Sequence, residues 1–307
     1  MQEGIAKAQE WAARRTYSHD DFDAARLRDL KDATSVSVVV PARNVAATVG
    51  EVVSACVACE VVDEVIVVDA SSTDGTADAA AAAGASVHDE NALLAQFGPV
   101  LGKGDALWRS LSVASGDIVV FVDGDTSGFD DRFVRGLVGP LLADARTVFV
   151  KGAFDRPFVS GELRVENGGG RVNELVARPL LNIFFPELAA VRQPLSGEVA
   201  FRREAIAELP FCTGYGTEIQ MLIDVHQRHG LDAIAQCDLG ERVNAHQPLQ
   251  SLGAMSFAVI RALLARVDGL QIDYDDHLTF LAADGPRDVP LVDRPPIASL
   301  TEVAHGA

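Results

Sequence analysis

The run Ile118 to Val122 is continuously apolar and ends in Asp123-Gly124-Asp125, two carboxylates one residue apart. A charged pair at the rim of a buried strand is costly unless something pairs it. Two acids hinged on a glycine suit a hard divalent cation that keeps waters and bridges to phosphate oxygens. Lys103 lies between Gly102 and Gly104 ahead of a helical pattern, where backbone N–H groups, the positive helix end and an ammonium can together hold an anion. Two further apolar runs end in Pro41-Ala42-Arg43-Asn44 and in Asp69-Ala70-Ser71-Ser72-Thr73-Asp74. An isolated acid at a strand end is ordinarily a turn former. Four such ends on one rim point instead to a metal diphosphate ligand.

The elements that must position these residues follow from the pattern. VSVVV (36–40), VIVV (65–68), a short run at 85–87, DIVVFVDGD (117–125) and TVFVKGAF (147–154) read as strands, with helices expected at 48–59, 76–83, from 102 and from 133. Strands that are apolar throughout and alternate with helices indicate a parallel sheet covered on both faces. Ligands then bind beyond the carboxyl ends of the strands. Later, IQMLIDVHQRHG reads as a helix closed by Gly230, LDAIAQCDLG as a strand, and LGAMSFAVIRALLARV as a long amphipathic helix. The tail from about Asp268 is acidic and contains prolines, which predicts an extended or partly disordered arm.

Composition limits the partners. The 307 residues are 48% hydrophobic and carry 26 Lys and Arg against 44 Asp and Glu, a formal charge of −18, the wrong sign for a nucleic-acid binder. A charged N-terminus without an apolar signal core, and no apolar span of about eighteen residues, predict a soluble cytoplasmic protein without membrane insertion. Cys56, Cys59, Cys212 and Cys237 are too scattered for a disulfide framework, and Cys56-x-x-Cys59 lies in a helical pattern without the second pair a zinc site needs. His226 and His229 read as a polar face and helix end, and Phe184-Phe185 as core or subunit packing.

PARN, VVDASSTDGT, GKGDALWRSL, GDIVVFVDGD, GGGRVNELVARPLL, QPLSGE, GYGTEI, LDAIAQCDLG and LGAMS, in that order from about Val36 to Val267, resemble the retaining GT-A glycosyltransferases of glycosyltransferase family 81, the glucosyl-3-phosphoglycerate synthase type. The resemblance implies a Rossmann-like, mainly parallel α/β sheet with helices on both faces plus a C-terminal acceptor-binding extension. It divides the chain into an N-terminal helical segment (1–34), a nucleotide-sugar-binding GT-A domain (35–160), an acceptor-binding region (161–267) and a C-terminal arm (268–307). It implies a nucleotide-sugar donor, usually UDP-glucose, Mg²⁺ or Mn²⁺, D-3-phosphoglycerate as acceptor, retention of anomeric configuration, and a homodimer.

By the same resemblance, Pro41, Ala42 and Asn44 line the nucleoside, Asp69 and Ala70 face the uracil, and Lys103 contacts donor phosphate or sugar. Asp123 and Gly124 sit on the ribose or sugar side, and Asp125 is the principal metal ligand. Gly169, Gly170, Arg171 and Asn173 surround the glycerate, with Met255 also toward the acceptor. Glu218 and the Leu195 carbonyl stand near the transferred sugar. No carboxylate stands out as a covalent nucleophile, so a front-face displacement is expected, with the leaving diphosphate taking the acceptor proton.

The chain departs from that pattern at several points. Val45 replaces a Glu, Gly124 a Ser, and Asn173 a hydroxyl residue. The family's metal-binding His falls at Asn244, with His246 two residues later, and either could ligate the metal or, for His246, touch the acceptor. These changes leave open a related transferase with another acceptor or donor sugar, and a non-catalytic nucleotide-sugar binder. A sugar nucleotidyltransferase is disfavoured, because VVVPARNVAATVG lacks its Gly-rich phosphate loop.

Overall fold

A computed structural model of the chain describes residues 1–160, 163–166, 168–242, 249–271 and 277–300. Its centre is an eight-stranded sheet made of β1 (Thr16–Ser18), β2 (Val36–Ala42), β3 (Glu64–Asp69), β4 (Ser86–Asp89), β5 (Ile118–Phe121), β6 (Phe149–Asp155), β7 (Val199–Arg202) and β8 (Ile234–Glu241). Their spatial order is β1-β8-β6-β7-β5-β2-β3-β4. Every pairing is parallel except those of β7, which runs antiparallel to both β5 and β6.

The apolar runs explain the layering. Val39, Ile66, Val68, Val119 and Phe121 enter one core with Trp11 and Trp108, whereas Val38, Val40, Val65, Val67 and Val120 enter the other. Alternate residues of one strand point to opposite faces, so a strand apolar throughout must be covered twice. Each valine so buried contributes about 1.5–3 kcal/mol of transfer free energy. The helices Val49–Ala58, Thr76–Ala82 and Lys103–Ser110 fall within the predicted segments, and Asp131–Ala143 and Thr217–His229 each begin two residues ahead of theirs, the latter closing at Gly230 with φ of 82°.

Other elements were not expected. The segment read as helical at the N-terminus contains β1, and Trp11 donates from Nε1 to the Ile234 carbonyl at 2.9 Å, so this segment extends the sheet. Strand β7 is only four residues and follows the polar QPLSGE, too short to announce itself by periodicity. The acidic tail, expected as an extended arm, forms a hairpin of His277–Ala282 with Gly285–Pro290. It then returns to pair Asp293–Arg294 with Phe211–Cys212.

Candidate active site

The carboxyl ends of β2, β3 and β5 open onto a cleft of about 650 Å³, closed on its far side by Gly170 to Asn173, Leu195, Glu218 and the helix Ser251–Leu264. Its floor is a charged network. The Lys103 ammonium is 2.6 Å from Asp123 and 3.0 Å from Glu218. Arg242 reaches Asp123 at 2.9 Å, Asp125 at 3.5 Å and the buried Glu198 at 2.5 Å. Burial alone would push the Lys103 ammonium down, but Asp123 and Glu218 outweigh it and hold its pKa well above the lysine range. Burial works against ionised Asp123 too, yet Lys103 and Arg242 hold it below the usual carboxylate range. Glu198 goes the other way, raised by burial despite Arg242.

Two elements hold Lys103 in place. The helix Lys103–Ser110 begins after Gly102, whose φ is 89°, and Gly104 packs so closely on the strand Phe211–Cys212 that a Cβ there would lie 2.1 Å from the Cys212 carbonyl. The Gly-Lys-Gly segment is therefore a fitted joint, and the two glycines do different work. Glu218 comes from the first turn of Thr217–His229, buried beneath the cleft.

Residues that the sequence did not mark complete the network. A Cβ at Gly197 would lie 2.6 Å and 2.7 Å from the Asp123 carboxylate oxygens and 2.7 Å from the Lys103 ammonium, so a side chain there would shift the ends of both. Lys151, wholly buried on β6, donates to the Ser196 carbonyl at 2.8 Å, and its pKa is pushed down to about 7 by burial, with Glu218 and Glu198 pulling it back up. Arg156 also lines the cleft beside Arg171. Arg242 and Glu198 are 44 residues apart in the chain and Arg242 and Asp123 are 119 apart, so no local pattern could have joined them.

Of the expected site residues, Pro41, Ala42, Ala70, Lys103, Asp123, Gly124, Asp125, Gly170, Arg171, Asn173, Leu195, Glu218 and Met255 line the cleft. Asn44, Asp69 and Gly169 are not among the residues that line it; each adjoins residues that do. Asn44 has a φ of 52°, donates its N–H to Ser72 Oγ at 2.9 Å and accepts from the Thr73 N–H at 3.0 Å. Asp69 accepts from the Ser72 N–H at 2.9 Å. The Asn44 amide oxygen and one Asp69 carboxylate oxygen brace the loop that carries Ala70 to the cleft wall, while the other Asp69 oxygen, Oδ1, is buried without a hydrogen-bond partner. Gly169 donates its N–H to the Arg156 carbonyl at 2.8 Å, too close for any side chain.

Asn173 lines the cleft, but its amide also serves the wall. Its oxygen accepts from the Leu195 N–H and its nitrogen donates to the Arg192 carbonyl, each at 3.3 Å, which orients Leu195. Asn244 and His246 lie outside the described residues.

The departures at Val45 and Gly124 are spatial neighbours. A Cβ at Gly124 would meet Val45 Cγ2 at 3.4 Å and Val40 Cγ1 at 3.2 Å, while the Gly124 carbonyl accepts from Thr48 Oγ1 at 2.7 Å. A side chain at 124 would thus be in ordinary contact with Val45 and tight only against Val40.

Among the described residues no group of three or more His, Cys, Asp and Glu is arranged to hold a metal ion. The acid pair still fits a hard cation. Asp123 is held by Lys103 and Arg242, and Asp125, which Arg242 also reaches, has a side chain 57% exposed at the rim. A Mg²⁺ or Mn²⁺ ion held there would draw its remaining ligands from substrate phosphate and water, as such ions commonly do.

A mainly parallel sheet whose strand ends bring an acid pair, a lysine-carboxylate cluster and an arginine-bearing glycine turn to one cleft defines a GT-A glycosyltransferase. Residues 37–196 match the model of glycosyl transferase family 2, and the chain belongs to that family. It is 45% identical over 298 residues to the glucosyl-3-phosphoglycerate synthase of Mycolicibacterium smegmatis, covering 94% of this chain and 98% of that protein. It is 37% identical to the Petrotoga mobilis protein of the same name over 94% of this chain and 95% of that one. Among solved structures, glucosyl-3-phosphoglycerate synthase of Mycobacterium tuberculosis with Mn²⁺, UDP-glucose and phosphoglyceric acid superposes with a TM-score of 0.80 at 45% identity, over 91% of this chain and 95% of that one. Mannosyl-3-phosphoglycerate synthase of Rubrobacter xylanophilus superposes with a TM-score of 0.84 at 41% identity, over 95% and 98%. These relatives bear out the resemblance read from the motifs.

Proposed function

We propose that this glycosyltransferase moves glucose from UDP-glucose to D-3-phosphoglycerate, giving glucosyl-3-phosphoglycerate with retained configuration. The observation that carries the reading is Lys103, held at the cleft floor between Asp123 and Glu218. A cation so fixed stabilises negative charge developing on a departing diphosphate without reorganising. Asp125 would hold a Mg²⁺ or Mn²⁺ ion, which when bound would supply Lewis-acid stabilisation of the same charge. Arg171 and Arg156 give the opposite wall of the cleft the charge and geometry to take the phosphate and carboxylate of the acceptor. Leu195, oriented by Asn173, directs its backbone toward the transferred sugar, and Gly197 leaves room for the ends of Lys103 and Asp123.

In this reading residues 35–160 bind the donor, residues 161–267 bind the acceptor, and 1–34 and 268–307 brace them. A second reading, mannosyl transfer to the same acceptor, is favoured by the superposition on the mannosyl-3-phosphoglycerate synthase. Incubation with UDP-glucose or GDP-mannose, Mg²⁺ or Mn²⁺ and D-3-phosphoglycerate, with the product mass and anomeric linkage determined, decides between them. A hexosylated phosphoglycerate of α linkage from UDP-glucose supports the first reading. Product from GDP-mannose alone supports the second, and none from either donor overturns both.

The cytoplasm suits a chain whose four cysteines are all free and buried, and no helix among the described residues is long and apolar enough to cross a membrane. A homodimer is supported by Ile183 and Phe184, exposed on the helix Arg178–Phe184. The helix Ser251–Leu264, expected from sequence to offer an apolar face, instead turns Met255 and Val259 to the cleft and buries Ala262 and Leu263. Light scattering of the eluted protein tests the dimer, and a monomer mass at micromolar concentration would count against it.

A further inference from the structure

We infer that Glu90 selects the donor's nucleobase, favouring bases that present a ring N–H over those that present a ring nitrogen acceptor. This rests on reading the cleft as a nucleoside diphosphate-sugar site. Along the rim, β5, β2, β3 and β4 lie side by side, and their ends carry in order Asp123 and Asp125, Pro41 and Ala42, Ala70, and Glu90. At about 4.8 Å per strand, Glu90 stands roughly 14 Å across the sheet from the acid pair. A diphosphate seated at Asp125 and Lys103 therefore sends its nucleoside along this row toward Glu90.

The surroundings of Glu90 are those of a reader of one edge. Its backbone N–H donates to the Asp69 carbonyl at 3.1 Å, which fixes it beside Ala70. Its side chain lines the cleft with Arg43, Val68, Ala70 and Val100. It is half-buried, and among the described residues only more distant charges act on its carboxyl, with no hydrogen bond to it. A half-buried carboxyl beside Val68, Ala70 and Val100, with Arg43 as its leading favourable charge and no hydrogen bond, is costly until a ligand satisfies it.

The carboxylate is an acceptor only, so it matches the N3–H of uracil and repels the N3 lone pair of cytosine. Guanine, with N1–H, satisfies the same rule, and adenine fails it. Burial pushes the Glu90 carboxyl up to about 7; Arg43 and Arg109 favour the ionised form, while Asp89 and Asp105 oppose it. Protonated, the group can donate to cytosine, so discrimination widens as pH rises through neutrality.

The test is calorimetric titration of the full chain with UDP and with CDP in Mn²⁺, from about pH 6 to about pH 8, for the wild type, Glu90→Gln and Glu90→Ala. The UDP-to-CDP affinity ratio within each protein is its own control for folding. The wild type should prefer UDP by about tenfold or more, with the ratio growing as pH rises. Glu90→Gln, whose amide can donate to cytosine, should lose most of that preference and all of its pH slope, and Glu90→Ala should do the same. An unchanged ratio and slope in both variants would overturn the role of Glu90 and leave the donor site standing. No binding of either nucleotide by the wild type would overturn both.

Discussion

Lys103 and Asp123 lie 2.6 Å apart with the ends of both side chains against Gly197. Gly197→Ala should therefore drive the pair apart, costing about 1–3 kcal/mol of stability by overpacking and lowering kcat at least about tenfold, read from denaturant unfolding beside initial rates. Lys103→Ala removes the fixed cation and should lower kcat by about 10²–10³ with circular dichroism unchanged. Equal kcat in Lys103→Ala would remove the ammonium from the reaction. Lys103, Asp123, Asp125, Arg171 and Glu218 were legible in the sequence because each sits in a short motif at a strand or helix end. Gly197 and Lys151 were not, since their importance comes from what packs against them.

At the scale of elements, the strand β6 places a lysine where water cannot reach it. The Lys151 pKa falls to about 7 from 10.5, so above about pH 7 the folded chain has released a proton that the unfolded chain holds up to 10.5. The unfolded state binds more protons across that window, and stability rises with pH within it. Lys151→Met should remove this contribution, so that unfolding free energies measured from pH 7 to 10.5 climb less steeply than those of the wild type. A slope unchanged by the substitution would show that Lys151 is charged in the folded protein.

A second element, the returning tail, braces the helix of Lys103. Arg294 makes two bonds to the buried Asp105, at 2.9 Å and 2.6 Å, and Trp108 Nε1 donates to the Pro295 carbonyl at 2.8 Å. Asp105 also accepts from the Leu101 N–H at 2.9 Å, tying the loop before Lys103 to the same group. Arg294→Met leaves Asp105 to Arg109 and should cost about 3 kcal/mol with a fall in kcat, both measurable in the full chain. Wild-type stability and rate in that variant would show the tail to be passive. Composition pointed away from such a role, because an acidic, proline-bearing stretch reads as an arm when a residue such as Arg294 finds its partner far along the chain.

For the whole molecule, the parallel sheet, its helices and the binding rim were readable because apolar strands buried on both faces leave a continuous signal. Strand β7, the N-terminal β1 and the arginines at 242 and 294 were not, since each acts through pairings far along the chain. The central claim is that one cleft joins a donor half and an acceptor half on either side of Lys103. The measurement that tests it most directly is the initial rate of UDP release from UDP-glucose with and without D-3-phosphoglycerate, in the wild type and in Arg171→Ala. The account predicts release that depends strongly on acceptor in the wild type, and in Arg171→Ala a KM for acceptor raised about tenfold or more with UDP affinity kept. Release indifferent to acceptor in the wild type, or UDP affinity lost together with acceptor affinity in Arg171→Ala, would contradict it.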